Sequence, residues 1–277
     1  MRIACFEDPK SARSHRIASS MAAGAKVLGH QAEIVPWSVD NVPADIAIGY
    51  GWAFPEVLTR YQHFVHVDLG WWGRKPGHDP TGGYHKVAVN GREPSPYFRQ
   101  SLPRDRFSKF MLSIRPWRAT GTHVLLAGTS AKSAATRGMA AMEWELKALD
   151  RIRKVTHRPV IYRPKPSWPG AYPLKGCAYS PGHESLESVL ADCWGIVTLH
   201  SNVAVDGLVA GIPAFGGEGI ALAVSSGAIE DIETPSFPQE RTEMLGDLAW
   251  CQWTPEEMAS GACLKHLLAA TPLKEAR

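Results

Sequence analysis

Apolar positions along this chain recur at two periods. Ile3 to Phe6 is a short apolar run, and Ile17, Met21, Ala25 and Leu28 then fall at helical spacing behind Ser11, a residue type that accepts the first free N–H groups of a helix. Gly29 is placed to end that helix, and apolar runs at Ala32 to Val35, Ile46 to Ile48 and Phe64 to Val67 predict three more strands. A strand–helix–strand opening of this kind closes into a parallel sheet whose strand carboxyl ends form the ligand crevice.

From Trp71 to Thr122 the helical pattern collapses under interspersed prolines and glycines, and only Val87 to Val89 predicts a strand. A second alternation begins with a strand at His123 to Ala127 and a helix whose face is marked by Met139, Met142, Leu146, Leu149 and Ile152. Val160 to Tyr162 is the next strand, and Leu186, Val189, Leu190 and Cys193 outline a short helix. A strand at Ile196 to Leu199, a helix from Val203 to Ala210, a stop at Gly211 and a strand at Ile212 to Phe215 follow. Two such halves predict an α/β protein of two domains, 1–118 and 119–277, with the last helix free to pack back on the first.

The 277 residues suffice for two small domains, and 44% hydrophobic with 21% charged residues is an ordinary globular balance. No apolar run approaches the roughly 18 residues a membrane span needs. The start, MRIACFEDPK, lacks the apolar core of a secretory signal, so cytoplasmic residence is expected. Five scattered cysteines without C-x-x-C spacing predict reduced, mostly buried thiols and neither a disulfide framework nor a zinc site. The net charge of +3 is small, but the basic residues crowd between Arg74 and Arg118, where Lys75, Arg92, Arg99, Arg104 and Arg106 are interleaved with aromatics. That stretch is either a polyanion-facing surface or a solvated loop region.

The sharpest local signal runs from Gly195 to Gly216, where a strand ends in His200-Ser201-Asn202 at the start of a helix carrying Asp206. Unpaired backbone N–H groups at such a point favour a phosphate, with Ser201 or Asn202 as the cap. Gly128-Thr129-Ser130, after the strand at Val124 to Ala127, offers small residues for a close phosphate approach but lacks the closing Gly-Lys-[Ser/Thr] of a P-loop. Gly49-Tyr-Gly51 and Gly216-Gly-Glu-Gly219 fall short of a dinucleotide fingerprint, and no Asp-x-Asp motif is present.

The 195–216 segment resembles the donor-site signature of GT-B glycosyltransferases, particularly the capsule-polysaccharide group: strand, Ser/Asn turn, helix with an acidic residue, then Gly-Ile-Pro. The resemblance implies a GT-B-like fold of two Rossmann-like domains facing a central cleft, and covers about the last third of the chain. It implies that His200, Ser201 and Asn202 contact the diphosphate of a nucleotide sugar, with Asp206 on the donor-side helix or serving only as a helix residue. Arg163 and Lys165, in Arg-Pro-Lys-Pro, match the basic position that offsets charge on the leaving diphosphate, unless they are exposed loop cations. The expected enzyme is a metal-independent hexosyltransferase with no cofactor beyond its nucleotide-sugar co-substrate.

Transfer to a hydroxyl calls for a general base or for a retaining geometry that protects one face of the donor; a base belongs at the carboxyl edge of the first sheet, where Asp68 lies at the end of the fourth predicted strand, unless it only caps the next loop, and Glu7 and Asp8 lie at the end of the first. Trp71 and Trp72 beside Asp68 either stack on a sugar or base or belong to the core. Asp-Leu-Gly-Trp-Trp72 and Trp250-Cys-Gln-Trp253-Thr look similar to segments of phage-encoded glycosyltransferase-like proteins. That resemblance implies transfer of glucose from UDP-glucose to 5-hydroxymethyluracil or 5-hydroxymethylcytosine in double-stranded DNA, in the host cytoplasm, with the basic aromatic stretch holding phosphates. A capsule or lipopolysaccharide transferase and a non-catalytic nucleic-acid-binding protein of the same shape are the alternatives.

Overall fold

The computed structural model describes residues 1–51, 55–74, 79, 81–94, 102–181, 183–225, 227–270 and 273. The first unit opens with β1 (Arg2–Glu7), α1 (Ala12–Val27), β2 (Gln31–Pro36), β3 (Ile46–Tyr50), α2 (Pro55–Leu58), β4 (Phe64–Arg74), β5 (Gly83–Val89) and α3 (Asp105–Ser108). Ser11 caps α1 by accepting the N–H of Ser14, and Ile17, Met21 and Ala25 are buried at the predicted spacing. Val27, at the other side of the same helix, is 66% exposed.

Within this sheet the strand order is β11–β5–β4–β3–β1–β2, with β11 contributed from the end of the chain. Pairing is parallel from β2 through β1 and β3 to β4, then antiparallel between β4 and β5. The expectation of a strand ending at Val67 is corrected here. β4 runs on to Arg74 because β5, starting at Gly83 rather than Val87, supplies an antiparallel partner beyond the level where β3 stops. The register shifts between Leu69 and Arg74, and Gln252 Oε1 takes up the displaced N–H groups of Trp71 and Trp72 at 2.7 and 3.2 Å.

The second unit, 112–242, holds β6 (His123–Ala127), α4 (Ala131–Ala135), α5 (Glu143–Val155), β7 (Val160–Arg163), β8 (Ala178–Tyr179), α6 (Leu186–Leu190), β9 (Cys193–Thr198), α7 (Val203–Val209) and β10 (Ala214–Gly216). Its described strands lie in the order β10–β9–β6–β7–β8, all parallel. Of the predicted face of α5, Met142, Leu149 and Ile152 are buried in the core, but Leu146 is not. Leu146 is 50% exposed, while Glu145, one residue earlier, is fully buried beside Ala148, Leu149 and Ile152. Met142 precedes the helix in a left-handed backbone conformation and Met139 lies outside it, so the helical register starts at Glu143.

The chain returns through α8 (Arg241–Leu248) to β11 (Gln252–Trp253), α9 (Pro255–Ala259) and α10 (Ala262–Ala270), and residues from Glu243 onward belong to the first unit. The division therefore falls after Met111 instead of Arg118. Leu112 to Thr122 is held by the second unit, where Arg115 N–H donates to the Val209 carbonyl and the Arg118 guanidinium donates to the carbonyls of Leu190 and Cys193. The returning segment is drawn to the first unit by apolar burial: Met258, Cys263, Leu264, Leu267 and Leu268 share one core with Ile17, Met21 and Ala25 of α1. Gly24 lets α1 approach α9 closely, since a Cβ there would stand 2.0 Å from the Met258 carbonyl oxygen.

The cysteines are free, and all but the half-buried Cys177 are buried. Among the described residues, no helix is long and apolar enough to cross a membrane.

Candidate functional site

In the second unit β6 pairs with β7 on one side, and the chain later comes back to place β9 on the other. The point where strand order reverses lies between β6 and β9, and in open parallel sheets ligands bind outside the strand carboxyl ends at such a point. The segments that leave these two strands meet there. Ser133 of α4 puts its hydroxyl 2.6 Å from Nε2 of His200, which follows β9. Arg137 Nη1 donates to the same Ser133 oxygen at 3.0 Å, and its guanidinium grips Glu218, in the loop after β10, through bonds of 3.1 and 2.6 Å. That loop folds back over β9, and Gly216, at φ +122°, approaches so closely that a Cβ would meet the Thr198 carbonyl oxygen at 2.3 Å.

The predicted donor residues occupy the same edge. Gly128 and Thr129 leave β6, and Thr129 N–H donates at 2.7 Å to Glu145, whose carboxyl burial pushes above the usual carboxylate range. Ser130 caps α4 by accepting Ser133 N–H. Ser201 N–H is taken by Thr198 Oγ1 at 2.9 Å, and the Ser201 hydroxyl accepts Val203 N–H. Asn202 stands at the start of α7 without a side-chain capping bond, and Asp206 is half-buried in the first turn. Lys165 is exposed. Arg163 ends β7 with its guanidinium turned to the next loop, donating to Ser180 Oγ at 2.8 Å and the Glu184 carbonyl at 2.6 Å; burial lowers its pKa. It is thus neither an exposed cation nor one with all its donors spare.

In the first unit the strand order reverses between β1 and β3, and Arg13 of α1 donates across that point to the Tyr50 hydroxyl at 3.3 Å. Asp68 sits one residue beyond the Val67–Tyr50 pair that closes the parallel part of the sheet, opposite Lys86 of β5. Its Oδ1 accepts the N–H of Leu69 at 2.8 Å. Of the alternates, Glu7 is engaged by His15 Nδ1 at 2.6 Å. Asp8 shapes the turn into α1, its carboxylate accepting Lys10 N–H and its carbonyl accepting Ser11 N–H, each at 2.9 Å.

Around Asp68 the structure adds three groups that sequence reasoning passed over. Tyr50 is pushed up to about 12 by burial and by the Asp68 charge, and His85 is lowered to about 4 by burial and by Arg13. His66, two residues before Asp68 on the same strand face, is lowered by burial. The alternation His66-Val-Asp68 was a readable sign of a shared face; the approach of Tyr50 and His85, with ring centroids 5.9 Å apart, depends on strand pairing.

The acceptor-side set is divided. Trp71 and Trp72 are 2% and 6% exposed, and Trp72 packs edge-on against Phe107 with centroids 5.3 Å apart, so both are core aromatics. Arg106 is a correction to the basic surface. It is 4% exposed and spends its donors on Glu257 and the carbonyls of Ala249 and Gln252, with the guanidinium 3.9 Å above the Trp253 ring. Arg74, Arg92 and Arg104 are exposed, and Arg74 donates to the Trp71 carbonyl at 3.0 Å. Lys75 and Arg99 lie outside the described residues.

No family model matches the chain, and no curated protein is similar to it in sequence. Solved structures do share its fold. The KpsC beta Kdo 2,4 transferase of Thermosulfurimonas dismutans superposes with a TM-score of 0.55 at 12% identity, covering 90% of each chain. The beta Kdo 2,7 transferase of the same KpsC gives 0.53 at 13% identity, over 96% of this chain and 99% of the other. The observed fold is the expected one, a GT-B-like α/β architecture of two Rossmann-like units.

Proposed function

We propose that this chain is a glycosyltransferase that takes a sugar from a nucleotide donor held by the second unit and moves it to a hydroxyl acceptor held by the first. The observation that carries the reading is the convergence of His200, Ser133 and Arg137 at the β6/β9 reversal point, beside the loops bearing Thr129, Ser130, Ser201 and Asn202. Breaking the bond between the sugar and the phosphate leaves negative charge on phosphate oxygens, and donors already fixed in place stabilise that charge without reorganising. His200, Ser201 and Asn202 face that task, with Lys165 and Arg163 as the nearby cations. Asp68 receives the acceptor proton as the hydroxyl attacks. The sequence lacks Asp-x-Asp, and these cationic and polar side chains take the part a metal plays elsewhere, so activity is expected to survive chelation.

A glycan hydroxyl is the favoured acceptor. Two structures that share the fold are Kdo transferases by name. The burial of Trp71, Trp72 and Arg106 removes three groups that a DNA acceptor would have used. The exposed Arg74, Arg92 and Arg104 keep a second reading in play, transfer of glucose from UDP-glucose to 5-hydroxymethyluracil or 5-hydroxymethylcytosine in double-stranded DNA.

The test is to incubate the protein, with and without chelator, with a panel of nucleotide sugars and either oligosaccharide acceptors or hydroxymethylated duplex DNA, and to read product masses. One added sugar on a glycan supports the favoured reading, and one on a nucleoside supports the second. If no nucleotide sugar is consumed or raises the melting temperature while DNA does raise it, the chain is a binding protein and the transferase reading fails.

A further inference from the structure

The Lys86 ammonium is buried, its side chain 7% exposed, and a buried cation is stable only beside an opposite charge. Two carboxylates compete for it. Asp68 stands directly opposite on β4, on the same face of the sheet and at the spacing where cross-strand side chains meet, and Glu93 follows in the loop after β5. On the other flank Lys86 faces Gln252 of β11, which is neutral and whose Oε1 already accepts the N–H groups of Trp71 and Trp72.

The ammonium goes to Glu93, which Nζ contacts directly, and it lies 5.6 Å from the centre of the Trp71 ring. Among the described residues, no ion pair joins Lys86 to Asp68. The Asp68 carboxylate instead accepts the Leu69 N–H at 2.8 Å. Asp68 and Lys86 are nonetheless near neighbours electrostatically, since the buried His66 feels both charges. This division matters to a proton acceptor. A cation bound to Asp68 would occupy a carboxylate oxygen and stabilise the ionised form, and a carboxylate so stabilised takes a proton from an attacking hydroxyl poorly. A neutralised Lys86–Glu93 pair imposes neither effect.

We propose that Glu93 is a positioning residue, which holds the Lys86 ammonium off Asp68 and cancels its charge, so that Asp68 stays open to receive the acceptor proton. The kinetic half of this rests on the transferase reading above; the charge arrangement can be read without turnover.

Glu93→Gln removes the counter-charge and leaves the ammonium to Asp68. The acid limb of kcat/KM against pH should then move down by about one pH unit, and kcat should fall up to about tenfold. Lys86→Gln leaves the Glu93 carboxylate uncompensated and should move the limb up by a similar amount. Glu93→Asp, which keeps the charge, and the double variant Lys86→Gln/Glu93→Gln, which removes both charges, should sit near the wild type. The other titratable and charged groups around Asp68 are the same in all of these variants: Tyr50 on β3, His66 on β4, His85 on β5, Arg13 on α1, and Asp79. Opposite shifts in the two single variants support the proposal, and shifts of one sign, or none, overturn it. If Lys86→Gln fails to fold, the double variant decides: a Glu93→Gln shift that it does not reverse overturns the proposal. Carbon-13 titration of the Asp68 carboxyl, identified by its loss in Asp68→Asn, follows the same shifts without substrate. If the wild-type protein consumes no nucleotide sugar, the transferase reading and the kinetic half fail together. Opposite carboxyl shifts still support the charge arrangement in that case, and unchanged ones overturn it.

Discussion

The Glu145 carboxylate accepts the Thr129 backbone N–H at 2.7 Å from a fully buried position, fixing the loop after β6 from beneath. Burial raises the Glu145 pKa, so the folded protein holds that proton more tightly than the unfolded chain. The stability this contributes is present below the ordinary glutamate value and is lost as pH rises through the folded value. Glu145→Gln, which keeps an oxygen for Thr129 and carries no charge, is expected to raise the melting temperature at pH 7 and to flatten its dependence between pH 4 and 7. Glu145→Leu leaves the N–H unpaired and should cost about 1–3 kcal/mol. Thermal melts across pH decide it, and a glutamine variant less stable than wild type at pH 7 contradicts the account.

Arg106 and Glu257 form a pair that is not a surface salt bridge, since the arginine side chain is 5% exposed and the carboxylate 24%. Burial alone would push Glu257 up, but the Arg106 hydrogen bond and the Thr254 N–H outweigh it and hold the carboxyl below its usual range. The stability this contributes is present above the ordinary glutamate value and disappears as pH falls through the lowered one. Removing the arginine strands a half-buried charge, so Arg106→Ala should cost about 3 kcal/mol at pH 7 and less under acid. Urea unfolding at both pH values tests the sign.

Gly24 marks where α1 meets the returning C-terminal segment. An alanine there has its Cβ against the Met258 carbonyl, a backbone atom that cannot swing aside. Gly24→Ala is expected to destabilise by about 1–3 kcal/mol. Limited proteolysis should cut within 243–270 faster than in wild type; an unchanged cleavage rate would mean that the contact is not holding the segment.

Asp68→Asn should leave folding and donor binding as they are while lowering transfer by about 10²–10⁴-fold, the usual worth of a general base. Glu7→Gln should do much less, since Glu7 is paired with His15. Steady-state kinetics separates the two, and an asparagine variant with full turnover removes Asp68 from the chemistry.

What the chain determined by itself was what neighbours in sequence can specify. The Ser11 cap, the 17-21-25 stripe of α1, the strand at His123–Ala127 and the turn at His200 all follow from side chains acting within a few residues of one another. The tertiary structure decided what depends on partners far along the chain. Antiparallel pairing with β5 carried β4 past Val67, Glu257 drew Arg106 inside, and a backbone N–H from Thr129 made burial of Glu145 tolerable while Leu146 turned outward. A buried polar group is stable only where its partner arrives, and Arg106 and Glu257, 151 positions apart, offer no local pattern from which that arrival can be read.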